Sequence, residues 1–476
     1  MINVPTNAGS AEVSAIDTQA RFPLLLLLGS GIVWLVVSGV LALITSIQLH
    51  SPQFLTDCEW FTFGRTQALG ETAFVYGWAA NAGLGIALWV LGRLSGYPLR
   101  GLNWVVVGTL FWNAGVTAGL VGIATGDMTS FSLLQLPRYV QPLLVFAYAA
   151  VAMSGVLAWS GRRADSTFAS QWYGVAGLVL FPWMLCAAQA VLLWWPVRGT
   201  VQNIAASWYT QGAWTLWLMP LALTGAYYIV PKIAGRVLPT YESAPLGFWT
   251  LIFVGAWTGG RHLIGGPTPA WVATMAVVAL SLLLFHYIVI ALNLRLAFQT
   301  QGTAIKFIRV GLIAYLLGGA ADLITSFRGV AVLTQFTFVA TALEQLGLYG
   351  AISMMFFGAI YYMVPRLTGT AWASAGMSSG HRVLVVVGVM LSVATLAVAG
   401  FTQGGNLLNP NVNMAAIFGN VRLPLLLNSG AQVILLGANL LLLVNFLRTA
   451  CVFTARPVAA NTLFRQPSAT MEAHAS

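Results

Sequence analysis

Long apolar runs separated by short polar connections dominate the chain, and no alternating strand pattern interrupts them. A helix needs about 20 apolar residues to cross the hydrocarbon core of a bilayer. On that criterion the pattern predicts twelve spans, at 23–49, 72–95, 103–125, 139–161, 171–196, 205–231, 246–264, 269–298, 306–327, 333–363, 382–402 and 421–447. The fold class expected is therefore an all-α membrane protein, with one transmembrane domain over 22–450. The polar ends, 1–21 and 451–476, read as disordered cytoplasmic tails. The start lacks the basic stretch and small-residue cleavage site of a signal peptide. The longest polar connection expected is 403–420.

Composition agrees with this reading. Of the 476 residues 58% are hydrophobic and 7% charged, against about 25% charged in a soluble domain. The net charge of +10 would suggest nucleic acid for a soluble chain. Here the basic residues fall between apolar runs and report topology instead. Arg21, Arg93, Arg100, Arg162, Arg163, Lys232, Arg236, Arg295, Lys306, Arg309, Arg366, Arg382, Arg448, Arg456 and Arg465, 15 of the 21 basic residues, stand on the side of the termini. The opposite side receives only Arg65, Arg138, Arg198, Arg261, Arg328 and Arg422. Both termini are expected to be cytoplasmic. Cys58, Cys186 and Cys451 lie far apart without a CxxC or CxxH spacing, which argues against an iron–sulfur cluster, a zinc knuckle or attached c-type heme.

Ionisable groups inside spans are the candidate chemistry, because a charge at the bilayer centre costs about 2.5–3.5 kcal/mol on insertion scales. Glu344, within Leu343-Glu344-Gln345 of the tenth segment, is the foremost. Asp322 in the ninth segment reads as a structural partner of Arg328 about two turns on, with a place in a vestigial proton path as the alternative. Asp127 lies just beyond the third segment, and Glu71 is expected in water at the external edge. His286, inside the eighth segment, reads as a buried, hydrogen-bonded structural imidazole. Gly and Ala at four-residue spacing, as at Gly83 and Ala87, read as close helix packing.

Two segments share a local pattern. Gly225-Ala226-Tyr227-Tyr228-Ile229-Val230-Pro231-Lys232 ends the sixth span, and Gly358-Ala359-Ile360-Tyr361-Tyr362-Met363-Val364-Pro365-Arg366 ends the tenth. Each reads as a helix that reaches the interface with an aromatic pair, stops at proline and adds a cation. With the twelve spans, the stretch from Trp208 through Trp271 and the order of the other motifs, the chain resembles the catalytic subunit of the heme–copper oxygen reductases, cbb3 type.

That resemblance implies a heme–copper oxidase subunit I-like bundle, which in the family holds two hemes and one copper through six histidines. The ligand motifs are altered here. The family's His-Thr-Asn in the second span corresponds to Gly70-Glu71-Thr72. The first copper histidine falls on Gln211, within Trp208-Tyr209-Thr210-Gln211. The copper His-His pair corresponds to Arg261-His262, and the active-site tyrosine falls on Gly255. The His-Val-His of the tenth span corresponds to Leu343-Glu344-Gln345. The lost heme-ligand positions are thus Gly70, Leu343 and Gln345, and the former copper positions are Gln211, Arg261 and His262. His50, His381 and His474 stand at the wrong depth to substitute.

The expectation is a cofactor-free, non-catalytic membrane scaffold in a respiratory electron-transfer complex of a bacterial cytoplasmic membrane. Its expected partners are other membrane subunits, a catalytic oxidase subunit or membrane-anchored c-type cytochromes, together with lipids; nucleic acid is not among them. Heme b enters only through atypical ligands, as an active oxygen or nitric oxide reductase would require. A quinone-binding or transport protein using the emptied cavity is the further alternative. Gln211, Arg261, His262, Glu344 and Gln345 are expected to form an internal polar cluster in which Arg261 neutralises Glu344.

Overall fold

The computed structural model describes residues 8–163 and 167–454, and among these the regular structure is all helical, without strands. Among the described residues eleven helices are long and apolar enough to cross a membrane. In chain order we label the spans α1 (Ala8–His50), α2 (Phe63–Ser95), α3 (Leu102–Thr125), α4 (Gln141–Ser160), α5 (Ala169–Trp194) and α6 (Thr200–Ala234). There follow α7, α8 (Ala270–Phe298), α9 (Thr303–Ser326), α10 (Phe338–Thr368), α11 (Ala375–Leu407) and α12 (Met414–Thr454). The expected span 246–264 is α7, an α-helix over Ala244–Val254 that tightens into a 3₁₀ helix over Gly255–Leu263.

Three helices form the centre. In α2, α6 and α10, 94%, 94% and 89% of the most apolar stretch is buried, against 39–44% in the other eight long helices. A helix apolar on all sides is buried by its neighbours, whereas an outer helix keeps one face for lipid. Each inner helix carries a π-helical segment at mid-length, at Ala73–Ala79, Ala213–Leu218 and Leu346–Ser353. Such segments mark functional regions of helices more often than chance.

The inner helices also finish alike. Trp89, Tyr228 and Tyr362 are each followed four residues later by a cation, and Arg93, Lys232 and Arg366 lie over those rings. One turn on, Gly96, Gly235 and Gly369 adopt φ of +57°, +63° and +63°. This left-handed C-terminal stop is one that glycine reaches without a Cβ penalty. The three rings meet edge to face, with centroids 5.3, 5.9 and 6.5 Å apart. Thus α6 and α10 do not stop at Pro231 and Pro365 as the motif suggested. They run on to the glycines, and the Gly235 amide donates back to the Pro231 carbonyl at 2.9 Å.

Two further expectations change. The polar start is helix from Ala8, and Asp17 is buried where it accepts hydrogen bonds from Trp89 and Arg93. A carboxylate with charged and indole donors can be taken into a packed interface. The Gln/Gly/Asn-rich stretch at 403–420 is mostly the end of α11 and the start of α12, leaving 408–413 as the connection. Gln403 accepts from the Phe338 amide at 3.1 Å and so caps the start of α10, which gives that polar residue a helical role. Residues 1–7 and 455–476, with His474, lie outside the described residues.

Candidate functional site

The 3₁₀ turn of α7 organises the site. A Cβ at Gly259 would press into the Ser207 carbonyl and stand 2.9 Å from Gln211 Cβ, and one at Gly260 would be 3.0 Å from the Val272 carbonyl oxygen. Two glycines therefore let α7 slot between α6 and α8, and this close seat aims Arg261 and His262 inward. They border a cavity among α6–α10 with about 100 Å³ of free space. One water needs about 10–15 Å³ on this measure, so the hollow suits several small polar molecules.

Gln211, Arg261, His262 and Glu344 line this cavity together, as do Leu343, Tyr287 and Asp322. Gln345 does not border it. Gly70 is separate again: a Cβ there would meet Leu41 at 3.6 Å, so position 70 faces α1.

Within the cavity the ion pair differs from expectation. Arg261 Nη1 lies 2.8 Å from Asp322 Oδ1, with side-chain exposures of 13% and 21%. Asp322 thus pairs with Arg261, not with Arg328, and Glu344 is left without the guanidinium as a bonded partner. The tie needs α7 and α9 to approach at one depth, which spacing along the chain does not reveal. Arg261 Nε has no hydrogen-bond partner among the described residues. Glu344 is open to the hollow even though it lies on an inner helix. It stands within electrostatic range of Glu71, Arg261 and Asp322. Glu71 is half-buried, not free in water. It accepts from Gln135 Nε2 at 2.7 Å and Gln67 Nε2 at 3.1 Å.

The remaining histidines are held elsewhere. His286 is buried, with Nδ1 2.8 Å from the Gly247 carbonyl oxygen and Nε2 2.9 Å from the Tyr315 hydroxyl. His50 is held by Ser51 and Ser429. His381 is inside α11, not before it, and its Nδ1 is 3.1 Å from the Tyr361 hydroxyl. Sequence reasoning missed Tyr287 as a cavity residue and Gln135 as a partner of Glu71. Both are ordinary residues in their segments and carry no local signal.

Among the described residues, three inner helices with mid-length π segments, accompanied by eight further membrane-length helices and the shorter α7, define a polytopic helical membrane protein with an internal polar hollow. The chain belongs to the cytochrome c and quinol oxidase polypeptide I family, whose pattern matches residues 23–419. It is 23% identical over 388 residues to the cbb3-type cytochrome c oxidase subunit CcoN1 of Stutzerimonas stutzeri, covering 78% of this chain and 81% of that one. It is 24% identical over 396 residues to a cytochrome c oxidase subunit 1 homolog of Agrobacterium tumefaciens, covering 78% and 71%. Its fold matches a heme–copper terminal oxidase solved as a dimer, with TM-score 0.71 and 16% identity over 92% of this chain and 84% of that one.

Proposed function

We propose that this chain is a non-catalytic, cofactor-free scaffold subunit of a respiratory electron-transfer complex in a bacterial cytoplasmic membrane, with both termini cytoplasmic. The observation that carries the reading is the Arg261–Asp322 pair in the cavity. A guanidinium has five donors, no acceptor and no available lone pair, so it cannot ligate a metal. Here it also occupies the nearest carboxylate. Heme iron and copper are suited to imidazole, and His262 is the one imidazole on the cavity wall. Among the described residues no three His, Cys, Asp or Glu side chains converge as a metal site. The residues present do not fit the family's hemes or its copper, and no redox step is assigned to them.

Membership of a family whose relatives are named as oxidase subunits supports a place among other membrane subunits. A catalytic oxidase subunit or a membrane-anchored c-type cytochrome is the partner proposed. A pyridine hemochrome spectrum and copper quantification, assigned subunit by subunit in the purified complex, test the reading. The expected result is less than one-tenth equivalent of either on this chain. Stoichiometric heme or copper on it would overturn the proposal.

A further inference from the structure

A second pocket lies apart from the Arg261 hollow, on the face opposite the chain termini. The connections α3–α4 and α5–α6 enclose about 580 Å³ there. Met128 and Phe131, both half-buried, form an apolar floor together with the buried Leu192 and Leu193. Arg138, Arg198 and Asp127 stand on the rim, all exposed. None of the three side chains makes a hydrogen bond or ion pair among the described residues.

The depth of the pocket follows from its neighbours. Tyr139 at the start of α4 is 63% exposed, and Trp194 and Trp195 at the end of α5 are 49% and 78% exposed. Amphipathic rings of this kind settle at the headgroup level of a bilayer. The apolar floor therefore meets the upper acyl region, while the charged rim meets headgroups.

The charges select among occupants. Two guanidiniums match a phosphodiester, which they can hold with paired hydrogen bonds. Asp127 beside them matches an ammonium. We propose that this pocket binds the head of a zwitterionic aminophospholipid. Arg138 and Arg198 take its phosphate, Asp127 takes its amine, and the glycerol end of its acyl chains rests on Met128 and Phe131. A phosphoglycerol head would leave Asp127 facing hydroxyls, and free phosphate would leave the floor uncovered. The assignment does not depend on what the Arg261 cavity holds.

Native mass spectrometry of the full-length protein tests this, with phosphatidylethanolamine, phosphatidylglycerol and inorganic phosphate titrated separately. The wild type should retain one phosphatidylethanolamine, and Arg138→Gln/Arg198→Gln should bind it about tenfold more weakly. Asp127→Asn should bind both lipids but lose the preference between them. Circular dichroism and gel filtration should be unchanged in each variant, since all three positions are exposed. Equal lipid retention by the wild type and the double arginine variant would overturn the site. Equal binding of the two lipids by the wild type would overturn the zwitterionic assignment. Displacement of the lipid by millimolar phosphate would mark the pocket as a phosphate site and overturn the lipid.

Discussion

Arg261 Nη1 meets Asp322 Oδ1 at 2.8 Å across the join of α7 and α9. Removing one partner of a buried pair costs about 3–5 kcal/mol because it strands the other charge, whereas replacing both with apolar groups is often neutral. Arg261→Met should therefore lower thermal stability in detergent sharply, and Arg261→Met/Asp322→Leu should recover most of it. A double variant as unstable as the sum of the singles would show that the pair does not couple.

Glu344 shares the hollow with Asp322 and stands in range of Glu71, against the single guanidinium of Arg261. Like charges in one low-dielectric site oppose each other. Glu344→Gln should hold or raise the melting temperature at neutral pH. A drop of more than a few degrees would give the carboxylate a partner that this geometry lacks.

Gly259 has no room for a methyl group between α6 and α7. Gly259→Ala should destabilise by about 1–3 kcal/mol, the usual range for overpacking. Gly329→Ala is the control, since nothing lies within 4 Å of its added Cβ. Matched unfolding transitions of the two variants would discriminate a tight seat from a loose one.

Tyr362 joins the ring triangle through its aromatic face, with the Arg366 guanidinium 3.4 Å from the ring centroid. Tyr362→Phe should be nearly neutral, while Tyr362→Ala should cost about 3–5 kcal/mol, as for other buried aromatics. Arg366→Gln should lose about 0.5–1 kcal/mol of cation–π attraction. Stability close to wild type in Tyr362→Ala would mean that the rings contribute little.

Span positions were legible because membrane thickness imposes a length on every apolar run, and the inner ends of α6 and α10 because Tyr-Tyr-x-Val-Pro repeats in both. The third copy, at Trp89, Arg93 and Gly96, escaped notice because tryptophan replaces tyrosine and no proline follows, although the spacing is the same. Of the expected cluster of Gln211, Arg261, His262, Glu344 and Gln345, the first four line one cavity and Gln345 does not, because a neighbour in sequence on a helix points about 100° away. The partner of Arg261 was not legible, because which carboxylate a side chain reaches depends on the depth and rotation of separate helices. Asp322 is 61 residues away in sequence and signals nothing toward Arg261 by itself.

The edge-to-face rings of Trp89, Tyr228 and Tyr362 fasten the three inner helices to one another at their ends on the side of the chain termini. A clasp at one end fixes the rotation of the three helices about their own axes, and with it which side chains of α6 and α10 face the Arg261 hollow.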